Sequence, residues 1–204
     1  DKIYFSGFDH TTARLELAET AIRSVRDQRP ESGETHLALA NHLYWAYRDY
    51  AQAKAELAIA SRSLPNESRI PLLTGYIDRR QGHWEESLKE MKRALELDPR
   101  NFSILQQISL TYQALHRYGE ALSTLDSVLA IAPQDAASRV GRAWVAAEWR
   151  ADLEPLHTTI EKVLADASSA PPLIVYRWLD LALRERDPAS ADRALAAMLS
   201  GGCY

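Results

Sequence analysis

Three prolines, Pro65, Pro99 and Pro133, stand 34 residues apart, each at the end of an amphipathic stretch. Proline has no N–H to give a helix and pushes the residue before it toward extended geometry, so each one is a stop. A stop recurring at a period of this size marks one supersecondary unit repeated and stacked on its neighbours rather than around a central core. The spacing predicts an all-α chain of helix pairs, with at most six units in 204 residues.

The clearest unit runs from Ser68 to Asn101 and reads as helix, tight turn, helix, proline stop. The unit before it, Glu34 to Glu67, has helices near 34–47 and 50–63 with a break at Arg48 and Asp49. The unit after it, Phe102 to Asp135, turns at His116 and Arg117. In register, Ala53, Ser87 and Ala121 coincide where paired helices must come close, followed by Ala60, Ala94 and the bulkier Val128. Tyr50, Trp84 and Tyr118 open the second helices, and Leu57, Met91 and Leu125 lie one face further on. Gly75 stands at a crossing where Asn41 and Ser109 are its equivalents.

These residues carry a resemblance. Gly75, Gly82, Trp84, Ser87, Ala94, Leu95 and Pro99 are echoed by Tyr44, Tyr50, Ala53, Ala60 and Pro65, and by Tyr112, Tyr118, Ala121, Leu129 and Pro133. The pattern resembles the tetratricopeptide repeat (TPR), with one departure: Asp78 stands where Tyr44 and Tyr112 match the family's first-helix tyrosine. The resemblance implies a right-handed α-solenoid of antiparallel helix pairs around a concave groove that holds peptides or partner helices.

Three well-matched units thus cover 34–135, and the flanks are irregular. Residues 1–33 comprise an aromatic segment, with Asp9 as an N-cap, and a helix from about His10 to Asp27 that reads as half a repeat. That half-repeat, and a start without Met, point to a segment of a larger protein, and the composition is similar to that of bacterial regulatory proteins in which such repeats form the C-terminal segment. Residues 136–204 read as degenerate pairs. The first has a helix to Trp149 and a second capped by Asp152 with Pro155 in its first turn. Val163 and Leu164 fall one residue late, which implies a longer turn near Arg150 to Leu153. After a loop at Ala167 to Pro171 comes a fifth pair, Pro172 to Arg186 and a helix capped by Asp187 that ends at Gly201.

A net charge of −4 and a pI near 5.9 disfavour a nucleic-acid or anionic-membrane surface, which draws on clustered Lys and Arg. No apolar run is long enough to span a bilayer. Cys203, the single cysteine, cannot pair within the chain and leaves the compartment open. The cytoplasm is favoured, or the periplasm if a membrane span lies upstream. No phosphate loop, nucleophile elbow, H-E-x-x-H or Cys/His metal spacing occurs. The expectation is a non-enzyme without cofactor or metal. The six histidines are scattered, and Glu85 and Glu86 with Lys89, Lys92 and Arg93 make a solvated helix face.

Function then rests on the inner wall that the resemblance implies. Its frame puts His42 and Trp45 there from the first unit, Tyr76, Arg79 and Arg80 from the second, Gln106 and Gln113 from the third and Trp144 from the fourth. Aromatic and guanidinium groups suit a peptide hot spot, and the arginines favour an acidic or amide-rich ligand. Trp45 and Trp144 have packing between repeats as their alternative. The family's grip on a chaperone's C-terminal carboxylate needs Lys, Asn and Arg, where this chain has Ala38, His42, Leu73, Ser103 and Gln107. The expected partner is a protein or peptide, and the alternative is a regulatory or self-association module of a larger enzyme or transcriptional regulator, with a homo-oligomer formed through the Ala-rich last helix.

Overall fold

The structure, a computed structural model, describes residues 11–166 and 172–200. The aromatic opening segment, Asp9, the loop at 167–171, Gly201 and Cys203 lie outside them. Among the described residues there is no strand, and eleven α-helices follow one another. They are α1 (Thr12–Gln28), α2 (Gly33–His42, continued by a π-turn at Leu43–Tyr47), α3 (Tyr50–Ser63), α4 (Arg69–Arg80), α5 (Trp84–Leu97), α6 (Phe102–Ala114), α7 (Tyr118–Ile131), α8 (Ala136–Arg150), α9 (Glu154–Asp166), α10 (Pro172–Glu185) and α11 (Pro188–Ser200).

Polar side chains satisfy the exposed N–H groups at several helix starts. Thr11 accepts from the Arg14 N–H at 3.4 Å and caps α1. Ser32, Asp49, Asp135 and Asp187 cap α2, α3, α8 and α11 in the same way, at 2.8–3.2 Å.

The turn inside each helix pair is made by a residue in the left-handed region: Arg48, His116 and Ala151 at φ 55°, Arg186 at 57° and Gly82 at 82°. Left-handed backbone costs an L-residue about 1–2 kcal/mol, and only Gly82 escapes that cost. The spacing from His116 to Ala151 is one residue longer than from Gly82 to His116, the extra residue implied by Val163 and Leu164. After the turn, the N–H of His83, Arg117 and Asp187 returns to the carbonyl five residues back, at 2.9 Å. Asp49 reaches one further, to Leu43 at 3.0 Å, because α2 ends in its π-turn.

The chain divides into two compact units, residues 1–104 and 105–204. The core of the first joins Leu37, Ala40 and Tyr44 with Ala53, Leu57 and Ala60 of α3 and Ile70, Leu73 and Ile77 of α4. Each aliphatic side chain sealed there stabilises by about 1.5–3 kcal/mol. The α4–α5 crossing is tighter still. Ser87 donates its hydroxyl to the Gly75 carbonyl at 2.7 Å, and a Cβ on Gly75 would sit 2.9 Å from the Met91 Cγ and 3.0 Å from the Ser87 carbonyl oxygen. Asp78, the departure from the tyrosine pattern, is buried and ion-paired with Lys54 of α3 at 2.6 Å.

In the second unit the same crossing uses a serine from the other side. Ser109, equivalent to Gly75, donates to the carbonyl of Ala121, equivalent to Ser87, at 3.2 Å. The core behind it collects Val140, Ala143 and Trp144 of α8, Leu156 and Ile160 of α9, and Ile174 and Leu181 of α10.

Candidate functional site

In the first unit, the expected site residues divide between two places. His42 is buried, edge-on to the Tyr47 ring at 5.2 Å, and the Tyr47 hydroxyl donates to Glu19 of α1. Burial pushes the His42 imidazole below its ordinary value, with the Glu19 carboxylate opposing the shift. The group therefore favours its neutral form and belongs to the α1–α2 contact.

Trp45, Tyr76, Arg79 and Arg80 gather around Tyr44 instead. The sequence pattern singles Tyr44 out only as a repeat residue, yet it is the centre of the cluster. Its ring lies 4.8 Å from Trp45 at 87°, 5.8 Å from Tyr50 and 6.3 Å from Tyr76. The Arg79 guanidinium stands 5.4 Å from the Tyr76 ring centroid, and Arg80 donates through Nε to the Tyr44 hydroxyl at 3.4 Å. Burial pushes the Tyr76 phenol up to about 12, so it remains a hydrogen-bond donor at neutral pH. The same burial lowers Arg79 from its ordinary value, but a guanidinium stays charged. Trp45 keeps 38% of its surface exposed beside these donors, which gives the cluster aromatic area and positive charge together.

In the second unit, Gln106 and Gln113 of α6 line a hollow of about 240 Å³ with residues of α8 and α10. Gln106 spends its amide N–H donors on Asp135 at 3.0 Å and Ser138 at 2.8 Å, tying α6 to the start of α8. Gln113 donates to the Ser109 hydroxyl at 3.3 Å. Trp144 is 3% exposed and lies within the core. Two guanidinium groups of α10 cover it, Arg177 at 4.0 Å and Arg184 at 4.6 Å from the ring, and Glu148 approaches Arg184 at 3.8 Å. The guanidinium groups of Arg177 and Arg184 thus stand where the repeat frame expects the indole.

Gly141, Leu173 and Arg177 are among the contributors to the hollow that escape the sequence frame. Gly141 was visible in principle, because it stands where the 34-residue register has Leu73 and Gln107. Leu173 and Arg177 lie past the longer turns, where that register no longer applies. Among the described residues, no group of three or more His, Cys, Asp or Glu side chains could hold a metal ion, and no helix is long and apolar enough to cross a membrane.

A solved tetratricopeptide repeat protein from Parabacteroides merdae superposes with a TM-score of 0.64 at 19% identity, over 83% of this chain and 66% of that one. The chain has the tetratricopeptide-repeat fold. PilW, a type IV pilus biogenesis factor, shares it, with a TM-score of 0.72 at 16% identity over 93% of this chain and 87% of that one. In sequence, the BBSome complex member BBS4 homolog of Drosophila melanogaster is 26% identical over 81 residues, which is 40% of this chain and 17% of that protein. The chain therefore spans a small part of that relative's length. No family model matches the chain. The TPR fold accounts for the small residues at the helix crossings and for first helices that leave one face unpaired by their partners.

Proposed function

We propose that this TPR chain is a protein-interaction scaffold that holds a segment of a partner against its first helices and performs no chemistry on it. The observation that carries the reading is the hollow of the second unit, which is lined by the first helices of three successive pairs, α6, α8 and α10. In the first unit, Trp45, Tyr76, Arg79 and Arg80 on the π-turn and α4 supply the aromatic and guanidinium chemistry typical of contact hot spots. The names of two similar proteins, a BBSome complex member and a type IV pilus biogenesis factor, are in keeping with this reading.

The test is a panel of peptides selected by display against the chain and titrated with its variants. Tyr76→Ala combined with Arg79→Glu is expected to weaken peptides held by the first unit at least tenfold. Unchanged affinity for every selected peptide would remove that cluster from the binding surface.

A second reading is self-association. It is favoured by Leu183, Leu195 and Leu199, which are 63%, 45% and 65% exposed on α10 and α11. Light scattering separates the readings: a dimer that dissociates in Leu195→Lys would favour self-association, and a monomer the scaffold awaiting a partner.

A further inference from the structure

The hollow of the second unit has two features that specify its occupant. The first is a missing side chain. In register, Leu39, Leu73, Gln107 and Gly141 occupy one helical position, and only Gly141 leaves it bare. A Cβ built there meets nothing within 4 Å, so the space is open and not filled by a neighbour. Leu110 of α6 and Leu173 of α10 flank it, 46% and 56% exposed, over a floor that includes Val140 and Ile174.

The second feature is charge. In a chain of net charge −4, this hollow has no carboxylate among its described lining residues, and Arg177 is the one charged residue among them. That guanidinium is half-buried and held 4.0 Å from the Trp144 ring centroid, which positions it before any ligand arrives. The acids that act on it, Glu148 and Asp180, lie outside the lining.

We propose that this hollow is a subsite for one aliphatic side chain of a partner peptide, with a neighbouring Asp or Glu of that peptide held by Arg177. The proposal rests on the scaffold reading above and names the chemistry of the segment held. An aliphatic group replaces water against Leu110, Leu173 and the bare backbone of Gly141, and burial of that surface drives entry. A purely apolar ligand would take water from the Arg177 donors that face the hollow without offering an acceptor, whereas a carboxylate forms a charge-assisted, two-point hydrogen bond with them.

The test pans a random dodecapeptide phage library on the whole chain and compares the recovered peptides on the parent and on the Gly141→Leu variant. Leucine at 141 fills the hollow, and because leucine is the better helix former the variant is expected to unfold no earlier than the parent, so lost binding is not lost structure. Recovered peptides, synthesised with amidated C termini, should carry an aliphatic residue beside Asp or Glu and bind Gly141→Leu at least tenfold more weakly. Arg177→Gln should keep the aliphatic preference and lose the acidic one. Peptides that bind the parent and Gly141→Leu equally would overturn the subsite and leave the scaffold standing. Peptides without acidic residues, or binding that needs a free C-terminal carboxylate, would overturn the role of Arg177. No enrichment at all would overturn both readings.

Discussion

Single residues decide how closely the helices of a pair approach and how the chain turns between them. Gly75 is needed for contact: Gly75→Ala places a methyl against the Ser87 carbonyl, which is backbone and cannot swing aside. A loss of about 2 kcal/mol is expected in urea unfolding. Gly82 is needed for conformation, since nothing lies within 4 Å of a Cβ there but its φ is 82°. Gly82→Ala should cost about 1 kcal/mol with no change in packing. Ala151 at φ 55° is the converse case. Ala151→Gly removes the left-handed strain while adding unfolded-state entropy, for a net gain of about 0.5 kcal/mol. Equal stability changes at 75 and 82 on moving from alanine to serine would contradict the distinction, because only the first site is short of space.

Pairs of helices are joined by side chains that the repeat pattern treats as variable. Lys54 and Asp78 link α3 to α4, and at the same two register positions the next repeat has Leu88 and Tyr112. Breaking the pair with Lys54→Leu leaves the buried carboxylate with the more distant His83, at 3.9 Å, and should cost about 1–3 kcal/mol, at the low end because Lys54 is 38% exposed. Adding Asp78→Tyr should restore most of that loss, and a double-mutant cycle with no coupling would rule the exchange out.

Two histidines give the elements opposite pH responses. His157 of α9 contacts Glu185 of α10 at 3.0 Å and Glu161 at 3.2 Å, and the hydrogen bond to Glu185 raises its pKa above the ordinary 6.5. That contribution is complete below the unfolded value and is lost as pH rises through the folded one. His42, lowered by burial, behaves in reverse: its contribution is complete above 6.5 and is lost as pH falls. Melting curves between pH 5 and 8 should therefore show His157→Gln converging on the parent at high pH. His42→Gln should blunt the decline at low pH, and the reverse trends would refute both assignments.

At the scale of the whole molecule, a repeat array spreads stability over neighbouring contacts. Damage should stay near its source. Hydrogen exchange of Gly75→Ala is expected to show faster opening in α4 and α5, with α9 to α11 retaining their protection. Uniform acceleration along the chain would instead mean that the two compact units unfold as one.

The helical pairing was legible in the sequence because it depends on local chemistry repeated at a fixed period. Pro65, Pro99 and Pro133 stop helices while Pro155, Pro172 and Pro188 sit in first turns, Asp and Ser cap helices through hydrogen bonds to N–H groups two or three residues on, and small residues mark crossings. The site was legible only in part. Trp144 has the register of a surface residue, but α10 lays Arg177 and Arg184 over it. His42 has the register of Tyr76, yet Tyr47 and Glu19 take it into the α1–α2 contact. Tyr44 became a hub because the π-turn carries it into contact with Trp45, Tyr50 and Tyr76. By itself, the sequence determined which residues form helices and where they pair, since those are interactions within a few residues of the chain. Which side chains remain available to a partner was decided only by the tertiary structure, because exposure depends on what residues from other helices place over each surface.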